Sequence, residues 1–218
     1  MLRFQSPALS LTLNERGQAA ELTVEGENLI RAPRPFARLE YFEPQPAFTN
    51  EWVHPLHIDE PVYVNCSGAY PTPEGFALTF EGNVRAEFAV ETHEDALVLE
   101  LRGLTSPGEP PARFRFAWMA LRTDCRTAAT GMAMDPVVEG GTLPGITDEQ
   151  WAFAYAHTGY EGRRWALTGA GKPALRRRMQ DVLRRHSRDI PVTPAGGPFA
   201  ADCRKVQGSY MRVYGAYL

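Results

Sequence analysis

The chain has 218 residues, 44% of them hydrophobic and 22% charged, with a formal net charge of −3 and a pI of about 6.0. That length supports one large β domain or two small ones. The mild acidity excludes a protein-wide field for nucleic acid, and no apolar run approaches the roughly 18 residues of a membrane-spanning helix.

Met1 to Ser6 leads into alternating sequence without the apolar segment of a signal peptide. This fits a soluble chain, either cytoplasmic or secreted with a leader removed. Lys172 and Lys205 are the only lysines among 23 basic residues, a skew that fits a GC-rich bacterial genome. Cys66, Cys125 and Cys203 are far apart and form no CxxC pair. Three reduced, mostly buried thiols are expected rather than a disulfide framework or a zinc site.

In chain order, Leu9, Leu11 and Leu13 alternate with Ser10 and Thr12, the period of a half-buried strand. Asn14 to Gly17 makes a turn, and Ala20, Leu22 and Val24 resume the alternation, so a hairpin is predicted. Pro33 and Pro35 exclude regular helix, and residues 36–42 read as a strand. Residues 43–60 contain Pro44, Pro46 and Pro55 and are expected to form a long surface loop. Further strands are predicted over 62–64, 76–80, 84–91, 96–101 and 113–121, with turn chemistry at Glu81-Gly82-Asn83 and Glu94-Asp95 and a polar loop over 103–111. Within 113–121, Phe114, Phe116 and Trp118 are expected on one face, with Arg113 and Arg115 on the other. Many short strands at this spacing imply an antiparallel sandwich.

The stretch from Gly140 to Leu183 is the most distinctive. A strand over 164–169 is followed by glycines that read as a turn, and then by one helix over 173–186. Pro173 suits the first turn of that helix. Leu175, Met179, Val182, Leu183 and His186 share a face, and Arg176, Arg177, Arg184 and Arg188 lie toward solvent. Pro191 and Pro194 stop continuation, and Gly208 to Leu218 alternates as a final strand. A chain ending inside strand-like sequence reads as cut from a longer protein. One sandwich domain is expected over 1–204, with 205–218 a last strand or the start of a following segment.

Complete catalytic motifs are missing. Thr168-Gly169-Ala170-Gly171-Lys172-Pro173 departs from the Walker phosphate loop at Ala166, where Gly is needed, and at Pro173, where Ser or Thr is needed. His54 and His57 flank Pro55 near Asp59 and Glu60, a spacing met more often by solvated loop histidines than by metal ligands. No Gly-x-Ser-x-Gly is present, and Glu51, Asp59, Glu60, Asp124, Asp135 and Glu139 offer acids whose separations a sequence does not give. The arginines of the helix read as a solvated face, without a nucleic-acid-binding motif. No cofactor and no metal are implied. The tryptophans are candidates for a sugar-stacking platform. Trp118 and Trp165, in strands, are assigned to the core. Trp52 and Trp151, placed in loops or at element edges, are the carbohydrate-binding candidates.

Thr142-Leu143-Pro144-Gly145, Tyr155 with Thr158-Gly159 and Gly162, Ala166-Leu167-Thr168-Gly169, the helix from Pro173, Gly196-Gly197-Pro198-Phe199-Ala200 and Gly208-Ser209-Tyr210 carry a resemblance. Their order resembles the β-supersandwich, galactose-mutarotase-like domain at the N-terminus of multidomain bacterial glycoside hydrolases. The specific signal lies in residues 140–211. The resemblance implies a mainly β antiparallel sandwich with one helix in its C-terminal half. It implies a non-catalytic domain that packs against a following catalytic domain and shapes its cleft, with oligo- or polysaccharide as the parent enzyme's partner, and neither nucleic acid nor membrane. The alternatives are a carbohydrate-binding module and a stand-alone mutarotase-like epimerase using His54, His57, His93 or His157 with a nearby acid. No catalytic residue is carried over.

Overall fold

The computed structural model describes residues 1–42, 44–49, 52–58, 61–140 and 149–187, with the side chains of 44–49 and 52–58 left out. It is an antiparallel β-sandwich with one α-helix. A first sheet orders the strands Leu2–Gln5, Ser10–Leu13, Gln18–Val24 and Glu27–Asn28, with Arg34–Pro35 pairing onto Gln18–Val24. A second orders Val62–Asn65, Arg38–Tyr41, Arg113–Leu121, Glu149–Tyr155 and Glu139–Gly140, with Ile30–Ala32 joining Arg113–Leu121. A third orders Gly68–Pro71, Gly75–Thr79, Arg85–Thr92, Leu97–Thr105, Arg163–Gly171 and Thr127–Ala133.

One contiguous core joins all three sheets. Leu11, Leu13 and Leu22 come from the first, Leu39, Phe114 and Phe116 from the second, and Phe76, Phe88, Leu99 and Trp165 from the third. At its centre Phe76 stacks on Phe88 at 4.9 Å and 14°, and Phe88 meets Phe116 at 5.6 Å. Each such phenyl ring contributes roughly 1.5–3 kcal/mol by leaving water. The Leu97–Thr105 strand opens on an unbroken apolar run, Leu97-Val98-Leu99, because both its faces are covered there. Leu97, Leu99 and Leu101 face the main core, whereas Val98 joins Ala96, Met132, Met134 and Ala166 beneath the helix.

That helix, Lys172–His186, lays Val182, Met179 and Leu183 on the second cluster and buries Leu175, on the face its spacing predicts. Arg176, Arg177 and Arg184 are exposed. The predicted glycine turn before it is not there. The strand continues through Gly171, and the helix begins at the next residue. Gly169 instead packs against Val24, whose methyl lies 2.4 Å from where a Cβ would stand.

The loop expected over 43–60 is also corrected. Pro44–Thr49 and Trp52–Ile58 pair as a hairpin, with a register shift between Gln45 and Ala47, at Pro46. Proline is tolerated in a strand at such an irregularity because no ladder donor is needed there. The Leu97–Thr105 strand likewise runs past Gly103, so the polar loop begins later than expected. Residues 205–218 and Cys203 lie outside the described residues.

Cys66 and Cys125 are free and buried. The Cys66 thiol donates to the Gly17 carbonyl at 3.1 Å, and its sulfur accepts the Ala37 N–H at 3.4 Å. Burial pushes this thiol up to about 11, against the weaker opposing pull of the Ala37 N–H. The reactive thiolate is therefore scarce at about pH 8. Iodoacetamide at that pH should spare the Cys66 peptide in native protein and label it fully in urea, as read by peptide mass spectrometry. Native labelling as fast as denatured labelling would contradict the packing.

Candidate functional site

The face of the second sheet turned away from the core gathers charged and aromatic side chains. Alternation accounts for most of it. Leu39 on Arg38–Tyr41, and Phe114 and Phe116 on Arg113–Leu121, enter the core, so Arg38, Glu40, Arg113 and Arg115 take the other face. Strand register then sets the neighbours. Arg113 lies between Glu40 and Tyr155, and Arg115 between Arg38 and Phe153.

A bulge adds Trp118. Trp118 shares a face with Arg115, not with Phe114 and Phe116 as the alternation predicts. Register shifts between Phe116 and Met119, and Ala117 takes φ of 50°. The extra residue inverts the alternation beyond it, and the Trp118 N–H donates to the Phe36 carbonyl at 3.0 Å to hold the bend. Half-buried Trp118 is therefore outside the core to which the sequence assigned it, whereas Trp165 is 1% exposed and inside it.

At the centre sits Glu40, whose side chain is 0% exposed. Arg38 donates to its Oε1 from Nε at 3.0 Å and from a terminal amino group at 2.7 Å. Arg113 donates to Oε2 from Nε at 2.5 Å, and Arg115 Nε stands 3.2 Å from Oε1. Beside this knot, Glu149 pairs with Arg34 and accepts the Trp118 indole N–H at 3.5 Å. Partial burial works to raise the Glu149 carboxyl, but Arg34, Trp118 and the Arg115 charge outweigh it and hold it below the usual range. Burial first, then the Glu139 carboxylate that its hydroxyl bonds, push the Tyr155 phenol up.

The guanidinium groups interleave with rings. Arg115 lies 4.7 Å from the Phe153 centroid, 5.0 Å from Trp118 and 5.9 Å from Trp151. Arg113 lies 4.3 Å from Phe153, and Arg38 lies 4.1 Å from Tyr63 and 5.0 Å from Trp118. Such stacking is worth roughly 0.5–2 kcal/mol per contact and fixes the cations in place. Burial above all, and the Arg38 and Arg113 charges, lower the Arg115 guanidinium against the pull of Glu40 and Glu149. It stays protonated at any ordinary pH.

Of the two sequence candidates, Trp151 belongs to this face. It sits within the Glu149–Tyr155 strand rather than in a loop, half-buried, 4.5 Å from the Phe153 ring. Trp52 falls in the strand Trp52–Ile58, and its side chain lies outside the described residues, as do those of His54 and His57. Arg34, Arg38, Glu40, Glu149 and Phe153 were not singled out from the sequence.

The remaining histidines and acids are placed elsewhere or engaged. His157 is exposed beside Tyr155, 5.4 Å between rings. His93 meets Glu91 at 3.2 Å and stacks on His186 at 4.0 Å, and His186 meets Asp95 at 2.8 Å. With Arg164 donating to Glu91 at 2.9 Å and to the His186 carbonyl at 3.1 Å, this group ties the helix C-terminus to the third sheet. Asp135 accepts the Arg164 and Val137 N–H groups, and Asp124 pairs with Arg122. Among the described residues, no three His, Cys, Asp or Glu side chains form a metal-sized group, and no helix is long and apolar enough to cross a membrane.

Fold and face together define an antiparallel β-sandwich with a cation–aromatic surface on one sheet. No protein-family model matches the chain, and no characterised protein matches it by sequence. Among solved structures it is similar to a GH31 family sulfoquinovosidase from E. rectale in complex with the aza-sugar inhibitor IFGSQ. That likeness has a TM-score of 0.43 and 8% identity, and it covers 88% of this chain but 35% of the enzyme.

Proposed function

We propose that the chain is a non-catalytic β-sandwich domain of a carbohydrate-active enzyme, and that the cation–aromatic face of its second sheet recognises sugar. One observation carries the reading. Trp118 and Trp151 lie half-buried on a face the core does not use, against the buried Phe153 ring and interleaved with guanidinium groups already held in position. Flat apolar rings beside fixed polar donors suit a ligand that is apolar on its ring face and polar at its edge. The state of Glu149 supports the non-catalytic part of the reading. Glu40 is sealed from solvent by arginines, and Glu149, held ionised by Arg34, is not poised as a general acid near neutral pH. Attachment to a following glycoside hydrolase domain rests on the sequence resemblance of residues 140–211.

Calorimetry across a glycan panel tests this with the wild type and the Trp151→Ala, Trp118→Ala and Trp52→Ala variants. Loss of one stacking ring at the face should weaken binding about ten-fold. Trp52→Ala reports whether the hairpin contributes. Binding by the wild type that both face variants leave unchanged would reject the face, and glycoside hydrolysis by the purified chain would reject the non-catalytic assignment.

A further inference from the structure

The charges of this face do not cancel. Four guanidinium groups, on Arg34, Arg38, Arg113 and Arg115, share the two carboxylates of Glu40 and Glu149, so two positive charges stand in excess among the described residues. Glu139 at the margin, bonded by Tyr155, offsets one of them.

The four cations are not equivalent. Arg34 is bonded to Glu149, and Arg38 and Arg113 to Glu40. Arg115 forms no hydrogen bond to any described residue. Its Nε is buried and unpartnered, since the 3.2 Å approach to Glu40 is off-line, and 17% of its side chain remains exposed. Three rings, of Trp118, Trp151 and Phe153, surround it. Nε faces Glu40 and is closed to a ligand, but the two terminal amino groups bond no described residue, and a guanidinium so held by aromatic faces suits an oxyanion accepting a two-pronged bond from them.

We propose that Arg115, framed by Trp118, Trp151 and Phe153, is the anion-binding donor of this face, and that its ligand is an acidic sugar bearing a carboxylate or a sulfate. The ligand class rests on the sugar-binding reading above and extends it. Selectivity for the acidic form comes from the charge excess, and stacking comes from the rings. High salt screens the first and leaves the second.

NMR titration of the full chain with glucose, glucuronate, sulfated glucose, acetate and inorganic sulfate separates the possibilities. Glucuronate or sulfated glucose should bind about ten- to hundred-fold more tightly than glucose, with the advantage shrinking as salt rises. Preference between these two identifies the oxyanion. Arg115→Gln should erase the advantage, bringing acidic-sugar affinity down to that of glucose measured on the same variant. Arg115→Lys keeps the charge without the planar fork and should recover part of the advantage. It also carries the test where thermal melting shows Arg115→Gln unfolded. Equal wild-type affinity for glucose and the acidic sugars overturns the inference and leaves the sugar-binding reading standing. Acetate and sulfate binding as tightly as the acidic sugars, with glucose unbound, overturns the sugar reading and the ligand class with it. An advantage that survives in Arg115→Gln overturns the assignment of Arg115.

Discussion

Glu40→Ala should destabilise the protein by about 3–5 kcal/mol, because it leaves three guanidinium groups facing one another without their carboxylate. The Arg38, Arg113 and Arg115 side chains are only 16%, 13% and 17% exposed, so water compensates them poorly. Their residual exposure favours the lower end of that range. Glu40→Gln separates charge from shape. It keeps the side-chain length and an acceptor oxygen but gives up the negative charge, and it should fall within about 1 kcal/mol of Ala. Urea denaturation monitored by tryptophan fluorescence measures both. A Glu40→Gln loss below about 1 kcal/mol would mean that hydrogen bonding, rather than charge, holds the knot. Either variant should also loosen the face, so binding measured on it reports folding as much as recognition. The ring and Arg115 substitutions are the cleaner probes of function.

The knot shows what a sequence can and cannot convey. Arg113-Phe114-Arg115-Phe116 announces its own two faces, because a strand alternates with period two. That part of the site was legible. Glu40 was not, because its role depends on pairing residues 73 positions apart, Arg113 opposite Glu40, and register across strands is set by the whole sheet. Trp118 was misassigned for a local reason. One residue, Ala117 at positive φ, shifts the alternation by one, and nothing about an alanine signals it. Trp151, placed from the sequence in a loop or at an element edge, is the third residue of the strand Glu149–Tyr155, which was hidden because it follows a stretch rich in Gly and Pro. The Thr127–Ala133 strand was passed over entirely. Its Thr-Ala-Ala-Thr-Gly-Met-Ala sequence contains one large side chain and therefore no readable pattern.

That inconspicuous strand controls the largest buried ring. Trp165→Ala should cost about 3–5 kcal/mol in urea denaturation, the cost of emptying a fully enclosed aromatic site. The ring lies against two glycines. A Cβ at Gly131 would stand 2.3 Å from Trp165 Nε1, and one at Gly140 would stand 2.8 Å from Cζ3. Gly131 does not adopt positive φ, so an alanine there meets no backbone strain, and its cost, about 1–3 kcal/mol, is the collision with the indole. The two substitutions should therefore not add. In a Trp165→Ala background the new methyl enters space the ring has vacated, and Gly131→Ala should become nearly neutral, a coupling of about 1–3 kcal/mol. Additive costs would show that the ring and the glycine are not in contact. The Gly131 N–H also donates to Gln150 Oε1 at 3.1 Å, and Gln150 lies between Glu149 and Trp151. Displacing the Gly131 backbone pulls on the strand that carries Trp151 into the candidate face. Gly131→Ala should accordingly weaken sugar binding without touching the sugar, and Trp165→Ala should restore that binding in the double variant even as it lowers stability.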